Sequence, residues 1–232
     1  MVVTDLKGGQ LRTGRTELDV AHLGETRTFI LPMAGPGYHK DVMGQIDSQK
    51  LYRPTTAEAF SLVNVAFQNA NEPNCAEIVS RLKNNYLWTA TENLYIPDGV
   101  IVYDNVDGKM PSNRKDLTKR LEAGDKSVRF VPKGFKREAQ SVADLLKNSY
   151  VIAQVGGEEM LPIVEQVAVN LKRNPYVWAL EDVKDDVHRF TALGSYGCDF
   201  RLYLDGNYRG DGNDGCASGV SVVAPAGARA KK

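Results

Sequence analysis

The sequence predicts an α+β fold, with helices packed on short, mostly antiparallel sheets. Some stretches repeat apolar residues at helical spacing, while others are short runs rich in β-branched and aromatic residues. The two kinds do not alternate regularly, as they would in a doubly wound sheet. At 232 residues and 42% hydrophobic, the chain can bury the core of one large domain.

Taken in order, residues 1–20 hold Gly8, Gly9, Gly14 and scattered charges without an apolar period, which predicts a flexible N-terminal arm. A strand is expected at 28–31. Thr55 and Glu58 have capping-box spacing, and Ala59, Leu62, Val63, Ala66, Phe67 and Ala70 recur at helical intervals, so a helix with a buried face starts there. A second helix is expected from Asn74, with Glu77 three residues on, ending near Asn85. Residues 86–89, 94–96 and 100–103 read as a hairpin turning at Pro97-Asp98-Gly99. A charged helix over 115–122 stops at Gly124, followed by a strand at 128–131 and a helix over 137–147. The apolar run 150–155 reads as a buried strand, and 161–172 as a helix with Pro162 in its first turn. Strands at 177–180 and 190–193 complete a single domain over 21–224, leaving a flexible tail at 225–232.

Composition removes several function classes. Lys+Arg and Asp+Glu each total 29, so the formal charge is zero and no global field draws in nucleic acid or an anionic membrane. No stretch approaches the roughly 20 apolar residues of a spanning helix, and the start lacks a secretory pattern, so membrane insertion is not expected and synthesis is expected in the cytoplasm without a signal peptide. Cys75, Cys198 and Cys216 are an odd set that fits a reducing compartment, with a Cys198 to Cys216 bridge left open.

Catalytic and metal motifs are weak. His22, His39 and His188 are far apart in sequence. The acidic run Asp182, Asp185 and Asp186 beside His188 is the basis of the rival reading, a metal-dependent enzyme, although a solvated turn explains it as well. Gly156-Gly157 lies between apolar segments as a phosphate loop would, but Glu158 and Glu159 follow and would repel a phosphate. Asp205-Gly-Asn-Tyr-Arg-Gly210 begins like an EF-hand loop, yet Arg209 and Cys216 stand at ligand positions, and Gly210-Asp-Gly-Asn-Asp-Gly215 is one repeat of a β-roll that needs several. A calcium-binding structural protein is therefore a second rival, with calcium at most an auxiliary ligand and no other cofactor expected. Glu72-Pro73-Asn74 spells a sugar-binding triplet of calcium-dependent lectins, but at a helix start where Asn serves as a cap.

One segment stands apart. Residues 189–224 contain no Lys, Glu, Gln, Met, Trp or Pro, and are instead rich in Gly, Asp, Asn, Tyr, Arg, Ser and Cys. Tyr supplies rigid amphipathic contact area, Asn, Asp and Ser supply adaptable hydrogen bonds, and Gly permits irregular backbone, as in antibody paratopes. Phe200, Leu202 and Leu204 alternate with Arg201, Tyr203 and Asp205, which predicts a strand with a core face and a polar face. A bland surface loop would explain the Gly, Asn and Asp but not the Tyr, Arg and Cys.

On these residues the chain resembles the variable proteins of diversity-generating retroelements, whose C-terminal part is rewritten by reverse transcription that errs at template adenines. Changing the adenines of an AAC codon reaches Tyr, Asp, Ser, Gly, Arg and Cys, but never Lys, Glu, Gln, Met or Trp. The resemblance implies a C-type lectin-like fold, with the closing run 217–223 as its last core strand. It departs in carrying Ser221 after Gly219-Val220, where several members keep Arg. The preceding body is loosely similar to archaeal viral members. A ligand- or receptor-binding protein is implied, displayed on a virion or cell surface, with a variable region at about 190–224. Its contact residues would be Tyr196, Cys198, Asp199, Arg201, Tyr203, Asp205, Asn207, Tyr208, Arg209, Asp211, Asn213, Asp214 and Cys216, and its partner a protein or glycan rather than nucleic acid. Replacing Tyr203, Tyr208, Arg209 and Asn213 together by Ala is expected to leave stability nearly unchanged.

Overall fold

The computed structural model describes residues 2–13, 17–195 and 200–221. The chain opens with an antiparallel four-stranded sheet in sequential order: β1 (Val2–Leu6), β2 (Gly9–Thr13), β3 (Glu17–His22) and β4 (Glu25–Ile30). Leu23 and Gly24 join β3 to β4 with φ of 48° and 81°, the paired positive values of a two-residue turn that matches strand twist. The expected flexible arm over 1–20 is thus corrected. Leu11, Leu18 and Val20 are buried in the main core, and the charges between them had masked a period of two. β4 also holds the far end of the described chain, since Ile30 N–H donates to Gly219 O (2.9 Å) and Ser221 N–H to Thr28 O (2.8 Å).

β5 (Ala34–Gly37) and α1 (His39–Ser48) lead into α2 (Thr56–Gln68) and α3 (Pro73–Asn84). The capping box of α2 forms as its spacing predicts, with Thr55 Oγ1 accepting from Glu58 N–H and the Glu58 carboxylate accepting from Thr55 N–H. The cap of α3 is Glu72 rather than Asn74. Its carboxylate accepts Cys75 N–H at 2.8 Å, and Pro73 fills the first turn, where no N–H is missed. Next come β6 (Tyr86–Ile96), β7 (Gly99–Asp104), α4 (Arg114–Glu122), β8 (Val128–Pro132), β9 (Glu138–Ala139), α5 (Val142–Leu145) and α6 (Ser149–Gln154).

Two expectations fail in this stretch. The helix foreseen over 137–147 is only the single turn α5, because Glu138 and Ala139 pair with a later strand instead. The strand foreseen over 150–155 is the helix α6, capped by Asn148, whose side chain accepts Tyr150 N–H at 3.0 Å. A short run buried on nearly all sides has no period to tell the two apart.

The chain closes with α7 (Leu161–Asn170), β10 (Tyr176–Trp178), β11 (Val187–Gly194), β12 (Tyr203–Tyr208) and β13 (Gly215–Ala217). The second sheet runs β5-β13-β6-β11-β12-β10-β9, with β7 and β8 branching from β6. Its pairings are antiparallel except β13 with β6 and β10 with β12. One face, carrying Leu87, Val177, Leu193 and Leu204, packs into the main core with α2, α3 and α7. On the opposite face Val42, Met43 and Ile46 of α1 cover Trp88, Ala192 and Ala217. α1 covers only part of that face.

Candidate binding surface

The part of the face that α1 leaves is built in two cross-strand rows. Tyr86, Gly194, Tyr203 and Tyr176 are in register across β6, β11, β12 and β10, and Trp88, Ala192, Asp205 and Trp178 form the next row. In both rows β11 contributes a small residue between larger neighbours. The result is a cleft of about 350 Å³ lined by Tyr86, Trp178, Tyr203 and Asp205. A Cβ on Gly194 would lie 2.9 Å from the Tyr86 ring, so a larger residue there would displace that wall.

Buried polar groups hold β12 from below. The pairing of β11 with β12 shifts between Phe190 and Ala192, and Gly206 lies on β12 at this irregularity. Tyr95 Oη donates to Gly206 O (2.8 Å) and lies 2.9 Å from Tyr150 Oη. Asn93 continues the network, with Oδ1 accepting from Tyr150 Oη (3.1 Å) and Nδ2 donating to Thr191 Oγ1 (2.8 Å). A Cβ on Gly206 would overlap the Tyr150 hydroxyl, and one on Gly215 would overlap the Trp88 indole. Two glycines of the composition-biased segment are therefore required by packing.

The side chains of the segment divide by face. Leu202 and Leu204 are buried, while Tyr203 and Asp205 are half-buried on the open side. Arg209, Asp211 and Asn213 are exposed on the loop from β12 to β13, with Asp214 half-buried beside them. Asn207 belongs partly to the scaffold: its Oδ1 accepts from Arg189 Nε (3.2 Å) and its N–H donates to Asp205 Oδ1 (2.9 Å). Arg201 is half-buried ahead of β12. Burial pushes the Asp205 carboxyl up to about 6, against that one hydrogen bond from Asn207. Tyr208 stands edge-on to Trp88 (4.6 Å between centroids) and Tyr86 (5.1 Å), so it anchors the floor as well as reaching the surface.

Three expectations are corrected here. Cys216 is 0% exposed, a core side chain whose thiol burial pushes up, and it cannot touch a ligand. It is also a free cysteine, against the bridge left open for it. Phe200, read as core, is 56% exposed at a φ of 45°, which breaks the alternation before β12 begins. Tyr196, Cys198 and Asp199 lie outside the described residues, as do the end of the run 217–223 and the tail at 225–232. Sequence reasoning missed Tyr86 and Trp178, and only their register with Tyr203 and Asp205 brings them to the cleft. Trp178, at 45% exposure, was readable as an aromatic in a short strand but not as a surface residue.

The region of the rival reading is arranged differently. His188 Nε2 lies 2.7 Å from Glu92 Oε2, and the same carboxylate accepts from Tyr103 Oη (2.8 Å) and Asn105 Nδ2 (2.9 Å). Burial opposes ionisation of Glu92, but these hydrogen bonds outweigh it and hold the carboxyl below its usual range. Asp186 lies 3.8 Å from Arg114. Among the described residues, no group of three His, Cys, Asp or Glu side chains is placed to hold one metal ion.

No family model matches the sequence, and no curated protein is similar to it. Among solved structures, the chain is similar to one described as showing the accommodation of massive sequence variation in Nanoarchaeota by the C-type lectin fold. The match covers 81% of this chain and 94% of that one, at a TM-score of 0.53 and 15% identity. The fold is that of the C-type lectins. In this C-type lectin fold the composition-biased segment supplies β12, the loop after it and β13. It also supplies most of β11, and the preceding body supplies β6, β10 and α1. No helix among the described residues is long and apolar enough to cross a membrane.

Proposed function

We propose that this chain is a ligand-binding protein, not an enzyme, which presents a hypervariable C-terminal surface written by a diversity-generating retroelement. One observation carries the reading. Of the residue types that adenine substitution can reach, Tyr203, Asp205, Arg209, Asp211, Asn213 and Asp214 lie together on the open face or the adjoining loop, whereas Leu202 and Leu204 lie in the core with Gly206, Gly215 and Cys216. Variation confined to the first group leaves packing intact, while core substitutions would each cost about 2–5 kcal/mol against a total of roughly 5–15. The sequence variation attributed to the structurally similar protein supports the same division of labour. Half-buried aromatics with exposed Arg, Asp and Asn suit a protein or glycan on a host or neighbouring cell surface.

The decisive experiment reads DNA rather than protein. Sequencing around the coding segment is expected to reveal a near-copy of codons 190–221, differing only at its adenines, with the codons for Leu202, Leu204, Gly206 and Gly215 unchanged. A near-copy differing equally at all four bases would refute the retroelement origin, as would the lack of any copy in the complete genome.

A further inference from the structure

The cleft between β6, β12 and β10 has a chemistry of its own, resting on the reading of this face as the contact surface. Among the described residues, three aromatic side chains, Tyr86, Trp178 and Tyr203, and one carboxylate, Asp205, line it. Tyr176 extends the aromatic wall, with its ring centroid 4.8 Å from Trp178 and 5.9 Å from Tyr203. Among the described residues, the Asp205 carboxylate accepts one hydrogen bond, from Asn207 N–H, and no Lys or Arg pairs with it. Charge held half out of water without a counter-ion is unfavourable until a cation arrives. Aromatic faces attract the same cation through their negative quadrupole.

We propose that this cleft receives an arginine side chain of a polypeptide partner, with Asp205 pairing the guanidinium and Trp178, Tyr86 and Tyr203 walling its planar faces. A planar, delocalised cation can stack on a ring and bond a carboxylate at once, which an ammonium does less well. A sugar would lay its C–H face on the rings and donate hydroxyls to Asp205, but it would bring no positive charge to match the carboxylate. The cleft also joins two kinds of residue. Tyr86 and Trp178 belong to the body, so aromatic walls persist in every version of the protein, while Tyr203 and Asp205 belong to the biased segment. Substitution at position 205 would then switch the pocket between a cation-preferring and a neutral form.

The test uses the full chain labelled with nitrogen-15, whose two tryptophans give two indole N–H signals. The probes are N-acetyl-arginine methylamide, the matching neutral citrulline and cationic lysine derivatives, and methyl glycosides. Arginine is expected to shift the Trp178 signal saturably, at about millimolar concentration, and to leave that of buried Trp88 in place. Asp205→Asn should weaken the response roughly tenfold, and Trp178→Leu should weaken the arginine-induced shifts of the Tyr203 backbone amide. An equal response to citrulline, or an unchanged response in Asp205→Asn, overturns the proposal. A stronger response to lysine overturns the choice of arginine, and a response to glycosides alone makes the cleft a sugar site. Silence to every probe also overturns it, while the contact-surface reading stands or falls separately on the template comparison.

Discussion

Tyr208 and Arg209 are neighbours in sequence with different duties. Tyr208 packs edge-on against Trp88 and Tyr86, whereas Arg209 is exposed. Tyr208→Ala is therefore expected to cost about 1–3 kcal/mol and Arg209→Ala less than about 0.5 kcal/mol, measured by urea unfolding. This replaces the expectation that both could be removed without effect. Asp205 gives a second prediction. Its folded pKa of about 6 lies above that of an unfolded Asp, roughly 3.9. The folded state thus holds the proton more tightly, and the associated stabilisation is fully present below about pH 4 and lost as pH rises through 6. Comparing wild type with Asp205→Asn in urea, the wild type should lose stability relative to the variant across that window and no further above it. Glu92 works in the opposite sense, losing its stabilisation as pH falls through its lowered pKa, and the comparison cancels it. The alternation of Leu202 and Leu204 with Tyr203 and Asp205 was legible from residue types alone. Cys216 was not, because a small thiol amid Gly, Asp and Asn shares their codon signature but packs as a hydrophobe.

At the scale of elements, legibility followed how local the forces are. The α2 helix announces itself through a capping box and one apolar face, both settled within a few residues. α6 does not, since its side chains are buried by tertiary neighbours, and β9 exists only because β10 lies beside it. The two-row cleft was out of reach for the same reason, as it depends on the register of four strands spread from Tyr86 to Asp205. Register also fixes Gly206 over the Tyr150 hydroxyl. Gly206→Ala should accordingly destabilise by about 1–3 kcal/mol through overpacking, as read from the unfolding midpoint. Gly24→Ala supplies a contrasting control: its Cβ would meet open space, so any cost there comes from a φ of 81° alone. Equal crowding signatures in the two variants, with Tyr95 and Tyr150 ring signals shifted in both or neither, would contradict the packing account.

Over the whole molecule, the α+β class and the lectin-like architecture were legible, and the role of the N-terminal residues was not. β4 closes the domain against residues 219–221 through contacts nearly two hundred residues apart in sequence, a pairing that no local pattern encodes. β4 thereby braces the segment that the proposed function requires to vary. The central claim is that one face tolerates change while the scaffold beneath it does not. It is tested most directly by displaying two libraries and scoring folding as resistance to protease. One randomises Tyr203, Arg209, Asp211 and Asn213, and the other Leu202, Leu204, Gly206 and Cys216. The account predicts that most members of the first library remain folded and most of the second are cleaved. Equal survival of the two, or the reverse order, would contradict it.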